Sequence, residues 1–199
     1  MIETNPHPAK NRGARVMIAN HQSALDLMVG AALSSEGCLV VAKKEIIWIP
    51  FINLSWWALG FTRLDRSNPT RAINSLLELS RFIVQDQRSI WIMPEGTRYP
   101  AGEIGPFKKG AFHLAIQAQV PIYPVVLSGS GELLGKAGFF PKPGKIWIRF
   151  LPPVPTVGLS SHDVETLMNQ VRTQMQQEYQ TLQSQTKKEQ EVVPLLQRF

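Results

Sequence analysis

At 199 residues the chain is long enough for one domain to bury its own core without disulfides or metals. Its 44% hydrophobic and 18% charged residues describe a globular protein somewhat poor in charge, and the single cysteine excludes both a disulfide framework and a cysteine metal cluster. Lys and Arg number 21 against 15 acidic residues, a net +6 that favours an anionic partner: nucleic acid, an anionic bilayer or a phosphorylated substrate.

Along the chain, residues 1–13 form a polar, proline-containing segment with no signal-peptide pattern. Arg15 to Asn20 reads as an apolar strand, Ala24 to Leu33 as a helix, and Cys38 to Ala42 as a second, buried strand. A lone buried cysteine fits a reducing, cytoplasmic setting. The longest uncharged run, Ile46 to Thr62, contains Trp48, Trp56 and Trp57 together with Pro50, Asn53 and Ser55. It falls short of the about twenty apolar residues that a spanning helix needs. With Lys43, Lys44 and Arg63 at its flanks, it suits either a segment at the lipid–water boundary or a buried helix-turn.

Asn68-Pro69-Thr70 opens a helix in which Ile73, Leu76, Leu77, Phe82 and Ile83 share one buried face. Ser89 to Met93 is a strand, Gly110 to Gln119 a helix, and Ile122 to Leu127 a strand rich in Val and Ile. Lys145 to Leu151 alternates as a half-exposed strand does. Pro152 to Pro155 closes the sheet region, and Val164, Leu167, Met168, Val171, Met175 and Tyr179 carry a helical stripe. This alternation predicts one α/β domain over 14–185, three layers thick, with a mixed, mostly parallel central sheet flanked by helices and a tail over 186–199.

Two segments carry candidate chemistry, each just after an apolar strand. In Asn20-His21-Gln22-Ser23-Ala24-Leu25-Asp26, the spacing of His21 and Asp26 does not stack them on one helix face. With His21 in a loop and Asp26 in the first helical turn, the carboxylate can fold back, fix the tautomer and leave the other ring nitrogen to accept a proton. Ser23 to Asp26 is equally a capping-box pattern, in which Asp26 only satisfies the helix start. In Pro94-Glu95-Gly96-Thr97-Arg98, the glycine admits a close backbone approach, and Arg98 offers a forked cation to a phosphate or an ion pair to Glu95. Lys108 and Lys109 precede the helix that begins near Gly110, and Arg63 and Arg66 follow Gly60. Ser128-Gly129-Ser130-Gly131 lacks the spacing of a nucleophile elbow, Gly135-Lys136 fails as a Walker loop, and His7, His113 and His162 have no metal-ligand spacing.

Taken in order, these segments resemble the glycerolipid acyltransferase family, most closely the 1-acylglycerol-3-phosphate (lysophosphatidic acid) acyltransferases. Asn20 to Asp26 matches the family's His-x4-Asp motif, and Gly60 to Arg66 follows its second motif, which ends in Asp-Arg. Pro94 to Arg98 carries the third motif unaltered, and Val120 to Val126 is the fourth, a proline-containing apolar strand. Ala42 to Ile46 and Phe107 to Ala111 are similar connecting phrases. Thr62 and Arg63 depart from the second motif, where the family has apolar residues.

The resemblance implies that His21 is the general base and Asp26 its orienting carboxylate. It implies an acceptor site of Arg66, Glu95, Gly96, Thr97, Arg98 and Lys109, with Glu95 holding the loop or a glycerol hydroxyl. The reaction it implies moves an acyl group from acyl-CoA or an acyl-carrier protein to the free hydroxyl of 1-acylglycerol 3-phosphate, giving phosphatidic acid, without metal or cofactor. Another lysophospholipid or glycerol 3-phosphate as acceptor, and a non-catalytic module on anionic lipid or nucleic acid, are the competing readings. The acyltransferase reading involves no nucleic acid. Family members commonly carry apolar anchors before the first motif, whereas twenty residues precede His21 here. The expectation is therefore peripheral attachment on the cytoplasmic side of a membrane, or a shortened form.

Overall fold

The computed structural model describes residues 2–4, 13–34, 38–42, 62–63, 69–135, 138 and 140–196. Its centre is a seven-stranded sheet. The strands are β1 (Ile2–Thr4), β2 (Arg15–Ala19), β3 (Cys38–Ala42), β4 (Thr62–Arg63), β5 (Ser89–Ile92), β6 (Ile122–Ser128) and β7 (Ile146–Phe150), in the spatial order β1-β7-β6-β2-β5-β3-β4. Among the described strand pairs β6–β7 is antiparallel and the other neighbours run parallel. The mixed, mostly parallel sheet expected from the sequence is what forms.

The helices are α1 (Leu25–Ser34), α2 (Pro69–Gln85), α3 (Gly110–Ala118), the single turn α4 (Ser130–Leu133) and α5 (Val164–Leu196). Strands covered on both faces need apolar residues at successive positions, and the central strands supply them. Val16, Ile18, Leu39, Val41, Ile90 and Ile92 point into one core with Leu79 and Ile83 of α2, Phe112 and Leu114 of α3 and the stripe of α5. Met17, Ala19, Cys38, Val40, Trp91 and Met93 point into the other, where α1 contributes Val29. Two cores separated by one sheet make three layers. On α5 the buried residues Val164, Leu167, Val171, Met175, Tyr179 and Leu182 follow the helical period.

Three features differ from the sequence expectation. Strand β1 lies inside the segment read as polar and irregular, pairing in parallel with β7 at Ile2↔Ile146. Strand β7 is buried rather than half-exposed, because Trp147 joins the α5-side core while Ile146, Ile148 and Phe150 fill the α1 side. Helix α5 continues past residue 186, where the sequence reading draws the start of the tail. The tryptophan-rich run lies outside the described residues up to Phe61, and Thr62 enters β4. No described helix is long and apolar enough to cross a membrane.

The topology brings the two motifs together. Strands β2 and β5 are parallel neighbours in register, with Ile18 opposite Ile92. The loops that leave their carboxyl ends therefore emerge side by side, at the sheet edge where open α/β folds bind ligands.

Candidate active site

The first loop begins with Asn20, fully buried. Its Nδ2 donates to the Leu127 carbonyl at 2.9 Å and its Oδ1 accepts from the Leu127 N–H at 2.7 Å. An amide side chain offers one donor and one acceptor, so Asn20 continues the β2–β6 ladder for one more step after the backbone has turned away. That turn projects His21 out of the sheet.

Asp26 then does two jobs. Its Oδ2 accepts from the backbone N–H groups of Gln22 at 2.7 Å and Ser23 at 2.8 Å, and it lies 3.0 Å from His21 Nδ1. The helix-start bonds of the capping reading and the carboxylate–imidazole contact of the catalytic reading are both made, by one oxygen. Leu25 N–H donates to Ser23 Oγ, which itself donates to the Leu134 carbonyl. Asp26 is wholly buried and the His21 side chain is 16% exposed. A protonated Nδ1 facing the carboxylate leaves Nε2 with its lone pair, in the tautomer that a general base needs.

The second loop grips the first through His21 itself. Glu95 Oε1 accepts the His21 N–H at 2.8 Å, and the Tyr99 N–H donates to the His21 carbonyl at 2.9 Å. Glu95 Oε2 accepts the Gly105 N–H at 2.9 Å. Burial raises the Glu95 carboxyl to about 7, and these two N–H groups only partly offset it. Both oxygens face backbone donors within a nearly closed site, so Glu95 is a clamp between loops. Of the two roles expected of Glu95, holding the loop or binding a glycerol hydroxyl, these bonds are those of the first. Gly105 is tied to the same clamp, because a Cβ there would sit 2.2 Å from the Tyr99 ring.

Gly96 turns at φ +68°, a conformation that favours glycine. A Cβ at Gly96 would lie 3.0 Å from Lys108 Nζ and 3.1 Å from its Cε. The ammonium of Lys108 therefore lies over the Pro94–Arg98 turn, while the backbone N–H of Lys108 donates to the Pro94 carbonyl. Lys109, the expected third cation, stands at the N-cap position of α3 without a side-chain capping bond and pairs with Glu165 Oε2 of α5 at 2.9 Å, on an exposed surface. The two lysines thus lie in different surroundings, since consecutive residues entering a helix point in different directions. Arg98 is half-buried, one residue from the Tyr99–His21 bond, and forms no hydrogen bond or ion pair with another described side chain. Its expected alternative, an ion pair with Glu95, is absent among the described residues. Thr97 is exposed on the turn. Arg66 lies outside the described residues.

Sequence reasoning also missed Gln22, Gly102 and Tyr179. The Tyr179 hydroxyl accepts from Gln22 Nε2 at 2.6 Å, Gly102 N–H at 2.9 Å and Gln183 Nε2 at 3.1 Å. Burial pushes its ionisation above the ordinary tyrosine value, so it stays a neutral phenol. Tyr179 belongs to the helical stripe in the sequence, and nothing there distinguishes its hydroxyl from packing. Among the described residues no cluster of His, Cys, Asp and Glu could hold a metal ion.

An imidazole held by a buried carboxylate and the Pro94–Arg98 turn stand together at the carboxyl edge of the parallel strands β2 and β5. The model of the family described as Acyltransferase matches residues 2–128, and the chain belongs to that family. It is 40% identical over 161 residues to the mouse (Mus musculus) 1-acyl-sn-glycerol-3-phosphate acyltransferase alpha, covering 80% of this chain and 56% of that protein. It is 39% identical over 163 residues to the 1-acyl-sn-glycerol-3-phosphate acyltransferase of Saccharomyces cerevisiae, covering 80% of this chain and 54% of that one. The chain thus spans about half the length of the curated relatives it matches. The crystal structure of the 1-acyl-sn-glycerophosphate (LPA) acyltransferase from Thermotoga maritima superposes with a TM-score of 0.72 at 26% identity, covering 92% of this chain and 72% of that one.

Proposed function

We propose that this chain moves a fatty acyl group from an acyl thioester to the free hydroxyl of 1-acylglycerol 3-phosphate, giving phosphatidic acid. The observation that carries this reading is His21, bonded to Asp26 through its ring and to the Glu95–Tyr99 loop through both its N–H and its carbonyl. His21 Nε2 takes the proton of the acceptor hydroxyl as its oxygen attacks the thioester carbon. The carbon–oxygen bond forms, the carbon–sulfur bond breaks, and the thiolate leaves with the proton returned from His21. A thiolate leaves readily, so no second acid is needed, and Asp26 balances the imidazolium between the two transfers. No acyl-enzyme is required.

Arg98 and Lys108 hold the acceptor phosphate, Arg98 as a fork and Lys108 as a point charge. Gly96 and Thr97 shape the turn beneath them. Arg66 joins them on the strength of its Asp-Arg motif. The donor is acyl-CoA or an acyl-carrier protein, since both present the same thioester to the base. No cofactor is used. The acceptor and product are lipids, so we assign turnover to a membrane surface, with peripheral attachment on its anionic cytoplasmic side favoured by the net +6 charge.

The test is thiol release by the purified chain, with acyl-CoA and acyl-carrier protein as donors and lysophosphatidate, glycerol 3-phosphate and monoacylglycerol as acceptors. Release that depends on lysophosphatidate is expected. Release that depends only on glycerol 3-phosphate would move the acceptor class. No release with any pair, from folded protein, would overturn the reading.

A further inference from the structure

The family match ends at residue 128, and helix α5 lies beyond it. Even so, α5 reaches both loops of the site. From Tyr179, the hydroxyl meets Gln22, the residue after His21, and the N–H of Gly102. From Arg172, Nε donates to the Gly105 carbonyl at 3.0 Å and Nη2 to the Ile104 carbonyl at 3.1 Å. Gly105 in turn donates to Glu95, whose other oxygen holds the His21 N–H. Two routes therefore leave one helix and converge on consecutive residues, 21 and 22.

We infer that Tyr179 and Arg172 are positioning residues for the acyl transfer, keeping the base loop and the anion loop in a single register. Packing alone does not account for them. Tyr179 is 1% exposed, and a phenylalanine would fill the same volume without bringing a polar group that must be satisfied. Its oxygen instead meets donors from both loops, Gln22 and Gly102, and one from its own helix, Gln183. Arg172 places two nitrogens on two successive carbonyls, a match to the rigid fork of a guanidinium that an ammonium cannot make. The span they secure, Gly102 to Gly105, contains no helix or strand and is held by few bonds of its own. A base displaced by about 1 Å loses on the order of a hundredfold in rate, so a tie at this point acts on turnover more than on substrate binding.

This inference rests on the reaction proposed above, and the experiment separates the two. Tyr179→Phe, Arg172→Met and Arg172→Lys are compared with Leu167→Ala, a buried apolar substitution on the same helix that removes no hydrogen bond to either loop. In thiol release at saturating lysophosphatidate, Tyr179→Phe and Arg172→Met are expected to lower kcat by about ten- to a hundredfold with KM within about twofold. Arg172→Lys should fall between Arg172→Met and the parent, and Leu167→Ala should lower thermal stability while keeping kcat. In parallel, amide hydrogen exchange is followed at His21, Tyr99, Gly102 and Gly105. Exchange should quicken at those amides in the Tyr179 and Arg172 variants and not in Leu167→Ala. An inactive parent protein would count against the proposed reaction, leaving the exchange result to decide the tie. Unchanged exchange in both variants, or a kcat loss that Leu167→Ala reproduces, would overturn the inference.

Discussion

At the scale of single residues, Asp26 explains why two readings of one motif coexist. The oxygen that satisfies the start of α1 is the oxygen that orients His21, so helix capping and tautomer control cannot be separated by substitution. Asp26→Asn replaces a charged acceptor of three bonds with a neutral amide. It should cost about 1–3 kcal/mol of stability by weakening buried bonds to backbone N–H groups, and it should lower kcat as well, checked by denaturant unfolding and initial rates. His21→Ala should lower kcat by at least about a hundredfold while the fold is kept, since positioned base catalysis contributes that much or more. The two lysines give the sharpest contrast. Lys108→Met should raise KM for lysophosphatidate by about tenfold, the scale of one charge-assisted bond of 1.4 kcal/mol or so. Lys109→Met, which loses only an exposed pair with Glu165, should leave KM within about twofold.

At the scale of elements, the sequence was legible where one physical rule governs each position. Strands β2, β3 and β5 are apolar on both faces because helices cover both, and their limits match the sequence reading to within a residue. The site was legible to the same degree in its two loops: His21 with Asp26, and the Pro94–Arg98 turn, stand on neighbouring strands. What was not legible depends on long-range partners. Three residues at β1 are too few to show a period, and their pairing is made with residues more than 140 positions away. Trp147 is an apolar residue at a position that alternation assigns to solvent, and only the helix packed on it decides otherwise. Lys108 and Lys109 are chemically identical, so the path of the chain into α3 sets their different surroundings. The anchoring of β2 to β6 is testable here. Asn20→Ala strips the buried Leu127 N–H and carbonyl of their partner, and a loss of about 2–4 kcal/mol in unfolding free energy is expected.

For the whole molecule, Glu95 ties stability to pH. Its carboxyl sits at about 7 in the fold against 4.5 as a free group, chiefly through burial. The folded state therefore holds this proton more tightly than the unfolded chain, and the associated stabilisation is full below about pH 4.5 and is lost as pH rises through 7. The stability difference between the parent and Glu95→Ala should shrink by roughly 2 kcal/mol from pH 5 to pH 8, measured by urea unfolding at each pH. A difference that grows over that range would reverse the assignment. The net +6 charge acts at the same scale. Binding to vesicles containing anionic lipid should weaken as salt rises from 0.05 to about 0.5 M, because exposed charges are screened beyond a Debye length.

The proposed reaction requires one spatial relation, in which a single lipid headgroup meets the imidazole and the guanidinium at once. The most direct measurement is kcat/KM for lysophosphatidate over kcat/KM for monoacylglycerol, taken in the parent chain and in Arg98→Met. The parent should prefer the phosphorylated acceptor by at least about a hundredfold, as expected of two charge-assisted contacts, and Arg98→Met should lose most of that preference. A preference left intact by Arg98→Met would mean that the guanidinium and the base serve different molecules, and the account of the site would be wrong.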